Sequence, residues 1–304
     1  MAQTRQILAR INTSKNIAQI TKAMQMVAAS KMQRAQDQAV KARAYAEALA
    51  DSLQVLSRKI DPSLHPLLQH HEQGVDVAIV ISTEKGLCGS LNTNLFKKAA
   101  QWREQHPEGK LVAIGKKAVH LAKSYGFDIW AQFTDLPDTI STEDVVAINT
   151  LVNKNFLEKE FKSVSLIYTD FINTLTQKTV IQPLLPLGIE QVETQFKQGV
   201  EGEAASPALS QKAGSDQPKK EYLFEPNAEA ILKDILPLYL ENTIFHAFLE
   251  AKASEHSARM VAMKSASENA QDLIGELQLQ YNRSRQEEIT NELLDQVTAI
   301  KALS

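Results

Sequence analysis

The first 61 residues contain neither glycine nor proline; Pro62 is the first proline and Gly74 the first glycine. A run rich in Ala, Gln, Lys and Met with no breaker has nothing to stop a helix once it has begun. The other end of the chain repeats the pattern: after Pro237 only Gly275 interrupts the last 67 residues. Helices this long, far beyond the usual three or four turns, need a partner along their length. The two chain ends are therefore expected to pair as an antiparallel coiled coil, with everything between them hung on one end. Ile17, Ile20, Met24 and Val27 mark an apolar stripe at the N-terminus. Ala270, Leu273, Ile274, Leu277 and Tyr281 mark a second, and Ile289, Leu293, Val297 and Ile300 a third. The three- and four-residue steps are those of a coiled-coil seam, short of a strict heptad.

The middle of the chain has a different grammar. GVDVAIVIST (74–83), KLVAIG (110–115), VSLIYTDFI (164–172) and QKTVIQPLLPL (177–187) read as extended segments. Helical segments lie between the first three, one ending near residue 105, one in KKAVHLAKSYG and one within TEDVVAINTLVNKNFLEKEF. That alternation predicts an α/β, Rossmann-like domain with a mostly parallel sheet. The expected division is a coiled-coil helix over 1–61, the α/β domain over 74–195, a flexible polar loop over 196–220, and a second coiled-coil helix with its lead-in over 221–304. The loop, FKQGVEGEAASPALSQKAGSDQPKK, is too polar to order itself by burial and is expected to be dispensable.

A net charge of -3 argues against a generic nucleic-acid binder. The single cysteine, Cys88, permits no intrachain disulfide and no zinc cluster. No apolar run approaches the roughly 20 residues of a membrane span.

The α/β domain invites a search for chemistry, and the motifs fall short. GLCGS (86–90) is neither a dinucleotide fingerprint nor a P-loop, and GKLVAIGKK (109–117) has its glycines six apart with Lys117 where a magnesium-holding hydroxyl belongs. His65, His70 and His71 lack metal-site spacing. Asp76, Glu84, Glu143 and Asp170 are carboxylates whose convergence no spacing establishes. Cys88, between small and apolar neighbours, reads as a buried structural residue. No cofactor or metal is expected.

The unusual chemistry lies in the helices. Residues 1–34 carry Arg5, Arg10, Lys15, Lys22, Lys31 and Arg34 with no acid. A solvated helix mixes signs, so a one-signed one implies an acidic partner. At YNRSRQEE (281–288), Arg285 and Gln286 break an otherwise apolar stripe.

Four segments in order resemble the gamma subunit of the F-type rotary ATP synthase: RINTSKNIAQITKAMQMVAASKMQRAQ (10–36), STEKGLCGSLNTNLF (82–96), EYLFEP (221–226) and ARMVAMKSASENAQDLIGELQLQYNRSRQEEITNEL (258–293). The resemblance implies a non-catalytic rotor of the proton-translocating enzyme, on the cytoplasmic face of the bacterial inner membrane without inserting into it. It implies the alpha and beta subunits, the epsilon subunit and the membrane c-ring as partners. Lys22, Met24, Arg259, Arg285 and Gln286 would meet the alpha/beta ring, and Tyr222, Phe224 and Glu225 the membrane ring. Ser90 departs from the family, standing where a second glycine is common; the 196–220 loop is long, and one cysteine cannot form the chloroplast-type dithiol switch. With Met24 set beside residues 258–264, equal rise per residue carries the N-terminus to about residue 283, leaving the C-terminal helix unpaired beyond about 285.

Overall fold

The computed structural model describes residues 2–57, 65–187 and 227–303. The 196–220 loop and Tyr222, Phe224 and Glu225 lie outside the described residues. In chain order the elements are α1 (Ala2–Ser57), β1 (Val75–Ile81), α2 (Leu91–Gln105), β2 (Lys110–Ile114), α3 (Lys116–Tyr125), β3 (Asp128–Phe133), α4 (Thr142–Leu157), β4 (Phe161–Phe171), β5 (Gln177–Leu185) and α5 (Ala228–Leu303), with a short 3-10 turn at Pro66–Leu68. Packing divides the chain into two units, Met1–Ala29 with Arg259–Ser304, and Ser30–Ala258.

In the first unit the inward face of α1 is Thr4, Ile7, Ile11, Ser14, Ala18, Thr21, Gln25 and Ala28, buried or half-buried at alternating steps of three and four. The inward face of α5 is Met263, Ser267, Ala270, Ile274, Leu277, Tyr281, Ser284 and Glu288, at the same steps. Both are strict heptad seams, where the residue pattern suggested an irregular one. Most of the α1 seam is small or polar, and the Ser267 hydroxyl donates to the Ala18 carbonyl at 3.3 Å. Glu288 lies beside Arg5. Position 18 meeting 267 and position 5 meeting 288 makes the pairing antiparallel, as expected.

Most of the stripe read as the α1 seam lies outside it. Ile17, Ile20 and Val27 are 47%, 59% and 56% exposed. They sit one residue, about 100° of helix, away from the true seam. Small residues win the seam because they let two backbones approach closely, which larger side chains prevent. On α5, Ala270, Ile274, Leu277 and Tyr281 do face inward, while Leu273 is exposed. Every residue from Ile289 to Lys301 is exposed, the third stripe included.

The second unit is built on a five-stranded sheet of order β3-β2-β1-β4-β5. The first four strands are parallel and β5 runs antiparallel to β4. β1 is the central strand, and Val77–Ile81 are all buried. One face of the sheet packs on α2 and α3 through Leu95, Ala99, Trp102, Ala118 and Ala122. The other packs on α4 and α5 through Val145, Ile148, Leu236, Leu240, Ile244 and Phe248, joined by Leu49 and Leu53 of α1.

Two expectations are corrected here. β3, DIWAQF, is a fifth strand that the pattern hid, because an edge strand with Asp128 and Gln132 alternates poorly. Pro237 does not begin α5 but lies inside it. The helix starts earlier, where the Asn227 side chain accepts from the Ala230 amide at 2.7 Å. An internal proline costs about 3 kcal/mol, offset here by burying Leu232, Leu236, Tyr239 and Leu240 at roughly 1.5–3 kcal/mol each for apolar side chains.

Candidate partner-binding surfaces

An open parallel sheet binds its ligand beyond the carboxyl ends of its strands, where the strand order reverses. In the Ser30–Ala258 unit that point lies between β1 and β4. The cleft there is only about 20 Å³, lined by Ser82, Thr83 and Glu84 after β1, Gly115 after β2, Thr169 of β4, and Phe248, Lys252 and Glu255 of α5. Small-molecule pockets run to roughly 300–1,000 Å³. Helix α5 occupies the crevice, with Lys252 and Glu255 buried and their charged ends 3.6 Å apart.

The start of α3, where an incoming phosphate would meet free amides, is already spoken for. The Lys116 amide donates to Glu84 Oε2 at 3.4 Å and the Lys117 amide to the Thr83 carbonyl at 3.2 Å. The Ala118 amide donates to Ser82 Oγ at 2.7 Å. Gly115, at φ +85°, lets the chain pass so close that a Cβ there would lie 2.6 Å from the Ser82 carbonyl oxygen. The near-miss phosphate motif is thus a strand-to-helix turn closed by its own side chains.

The candidate carboxylates do not converge. Asp76, at the start of β1, accepts from Ser163 Oγ at 2.5 Å and pairs with His106 at 3.1 Å. Glu84 and Asp170 lie toward the opposite, carboxyl edge of the sheet, and Glu143 lies in the first turn of α4. Burial raises the Asp170 carboxyl above its ordinary value. Two of the three histidines have structural contacts: His65 Nδ1 accepts from the Leu67 amide, and His71 stacks on Phe156 at 4.3 Å, while His70 is exposed. Burial, then the charge of Lys233, lowers the His65 pKa. Among the described residues no group of His, Cys, Asp and Glu is arranged to hold a metal ion. Cys88 is buried, as read, and its sulfur accepts from Asn92 Nδ2 at 3.3 Å.

What remains are surfaces. In the first unit, α1 shows Ile17, Ile20, Met26 and Val27 to solvent, interleaved with Lys15 and Lys22. Lys22 donates to Gln25 at 3.3 Å on its own helix, and Met24 is half-buried on the flank of the seam. Arg259 is half-buried. Arg285 and Gln286 are exposed, and lie outside the seam set by Tyr281, Ser284 and Glu288. They therefore do not interrupt it, as the sequence suggested, but stand beside it. Ile289, Leu293, Leu294, Val297 and Ile300 continue the apolar exterior to the end of α5. Among the described residues no helix is long and apolar enough to cross a membrane.

These features define a class: a coiled-coil protein bearing an α/β domain whose ligand crevice is filled by its own helix, with apolar and basic surface left for other chains. Residues 3–303 match the family model described as ATP synthase. The chain is 42% identical over 304 residues to the ATP synthase gamma chain of Akkermansia muciniphila, spanning 100% of both. It is 40% identical over 297 residues to that of Opitutus terrae, spanning 97% of each. The chain belongs to the ATP synthase gamma chain family. Among solved structures, a chain of the Euglena gracilis mitochondrial ATP synthase, OSCP/F1/c-ring in rotational state 3, shares the fold with a TM-score of 0.66 at 20% identity. That match covers 99% of this chain and 95% of the Euglena chain. A chain of the Tetrahymena thermophila central stalk and c-ring gives 0.57 at 23% identity, over 82% and 99%.

Proposed function

We propose that this chain is the central-stalk rotor of a proton-translocating ATP synthase, carrying torque between a membrane c-ring and a catalytic ring of alpha and beta subunits. It binds the epsilon subunit as well, and performs no chemistry itself. The observation that carries this is the inversion of the coiled coil. The α1 side of its seam is mostly small or polar, while Ile17, Ile20, Val27 and the Ile289–Ile300 stripe are left outside. Buried apolar surface is worth about 25 cal/mol per Å², so a helix exposing this much is built to be covered by other chains. The bases of α1 suit acidic partner loops, and polarizable Met24 and Met26 adapt to differently shaped neighbours. A single asymmetric rotor facing several copies of one subunit biases each copy differently, which is coupling by differential contact. Lys22, Met24, Arg259, Arg285 and Gln286 belong to this ring-facing surface. Tyr222, Phe224 and Glu225 are assigned to the membrane ring by resemblance. The complex holds the chain peripherally at the cytoplasmic face of the bacterial inner membrane.

The test is reconstitution from purified subunits. The chain should co-elute with alpha and beta subunits as one complex, and calorimetry should find Mg-ATP sites on that complex but none on the chain alone. Stoichiometric micromolar binding of Mg-ATP by the isolated chain would sink the proposal and make it a nucleotide enzyme.

A further inference from the structure

The loop between β3 and α4 carries a carboxylate that the rotor reading does not use. Lys31 of α1 donates to Asp138 Oδ2 at 2.5 Å, across 107 residues of sequence. That bond above all, and then the charges of Lys252 and His256, hold the Asp138 carboxyl below its ordinary value, against the cost of partial burial. Lys252 and His256 are one turn apart on α5 and are 8% and 2% exposed. Lys31 of α1 thus grips one acid of the α/β domain directly, and Lys252 and His256 of α5 act on the same acid through charge, with Glu255 3.6 Å from Lys252.

The loop itself is braced on both sides of Asp138. The Asp135 amide donates to Glu84 Oε1 at 2.9 Å, and the Asp135 carboxylate pairs with Lys116. Leu136 lines the same cleft as Lys252 and Glu255. On the other side Ile140 is buried, and Ser141 and Asp144 form a reciprocal capping box at the start of α4. A carboxylate held in a stiff loop transmits force to whatever it grips; the same group on a slack loop would only follow.

We infer that Asp138 is a pin fastening the α/β domain to both long helices at once, so that within the Ser30–Ala258 unit domain and helices turn as one body. The mechanical part of this rests on the rotor reading; the three-way grip does not.

The grip is tested by charge exchange on the purified full-length chain, followed by thermal melting. Lys31→Asp and Asp138→Lys should each lower Tm, and Asp138→Lys more, because it sets a cation against Lys31, Lys252 and His256 together. The double exchange should restore only part of the loss, since the new lysine still faces Lys252 and His256. Asp138→Asn, which keeps the shape, should lower Tm less than Asp138→Lys, and Asp138→Glu should stay close to the parent. Complete restoration by the double exchange would reduce the site to an ordinary surface pair and overturn the inference, as would single variants that melt like the parent. The joint is tested in the assembled complex, with the ring fixed and a bead on the α/β domain. Asp138→Asn should widen the bead's angular fluctuation at rest without loss of the chain from the complex. Unchanged fluctuation would overturn the mechanical role. Failure of the parent chain to assemble would count against the rotor reading alone, with the melting series still deciding the pin.

Discussion

Arg285 and Gln286 stand in solvent on α5 beside the last turns of the seam. A charge-assisted hydrogen bond from such a group to a partner is worth roughly 1.5–3 kcal/mol. If it forms at some rotor angles only, replacing both residues by Ala should slow steady-state ATP turnover of the purified complex by roughly tenfold to a hundredfold at most. Assembly should survive, because the seam does not involve them. Unaltered turnover would make them ordinary solvated residues. Asp170 offers a prediction about folding alone. Its carboxyl is raised by burial in the folded chain, so ionisation favours unfolding. Asp170→Asn should therefore raise Tm at neutral pH. The advantage should fade as pH falls through the raised folded pKa and vanish below the ordinary carboxylate value, where both states bind the proton. A Tm difference independent of pH would refute that cause. Little at this scale was legible beforehand: Lys31 and Asp138 are 107 positions apart, and nothing in either neighbourhood announces the other.

At the scale of elements, the long helices were legible because their evidence is an absence of breakers, which no tertiary context has to supply. The central strands were legible because VDVAIVI is apolar enough to be buried on both faces. The side of α1 that faces its partner was not. The large apolar residues mark a seam in the pattern, yet close helix approach selects Ser14, Ala18 and Ala28 there, and Ile17, Ile20 and Val27 serve the outside. The same physics separates two substitutions one position apart. Ala18→Leu overfills a seam where Ala18 is 8% exposed, and should destabilise the chain by about 1–3 kcal/mol in denaturant unfolding. Ile17→Ala, on a half-exposed side chain, should cost about 0.5 kcal/mol or less. Its effect belongs to binding, seen as weaker retention by the alpha/beta ring. Equal costs in the isolated chain would mean the seam has been assigned to the wrong face.

For the whole molecule, the described residues from Ile289 onward contribute exposed surface and no buried side chain. Ending the chain after Glu288 should leave its own melting within about 1 °C, because surface removed without lost burial changes stability little. The same truncation should weaken its hold in the alpha/beta ring, measured as dissociation of the assembled complex on dilution. A large fall in Tm would show that the tail packs on its own chain. The departure of GKLVAIGKK from a phosphate motif was legible from its spacing. What closes that turn was not: Glu84, Thr83 and Ser82 engage the amides of α3, and α5 lines the crevice.

The antiparallel seam also has a consequence in time. Its two halves, Met1–Ala29 and Arg259–Ser304, are separated by the whole of the other unit. A ribosome adding about 5–20 residues per second needs roughly 10–50 s to go from the end of the first half to the start of the second. For that interval the nascent N-terminal segment offers Ile11, Ile17, Ile20 and Val27 with no intrachain mate yet made. It can be sheltered only by a chaperone or by another subunit, so the order in which the subunits are synthesised becomes part of how this chain avoids aggregation.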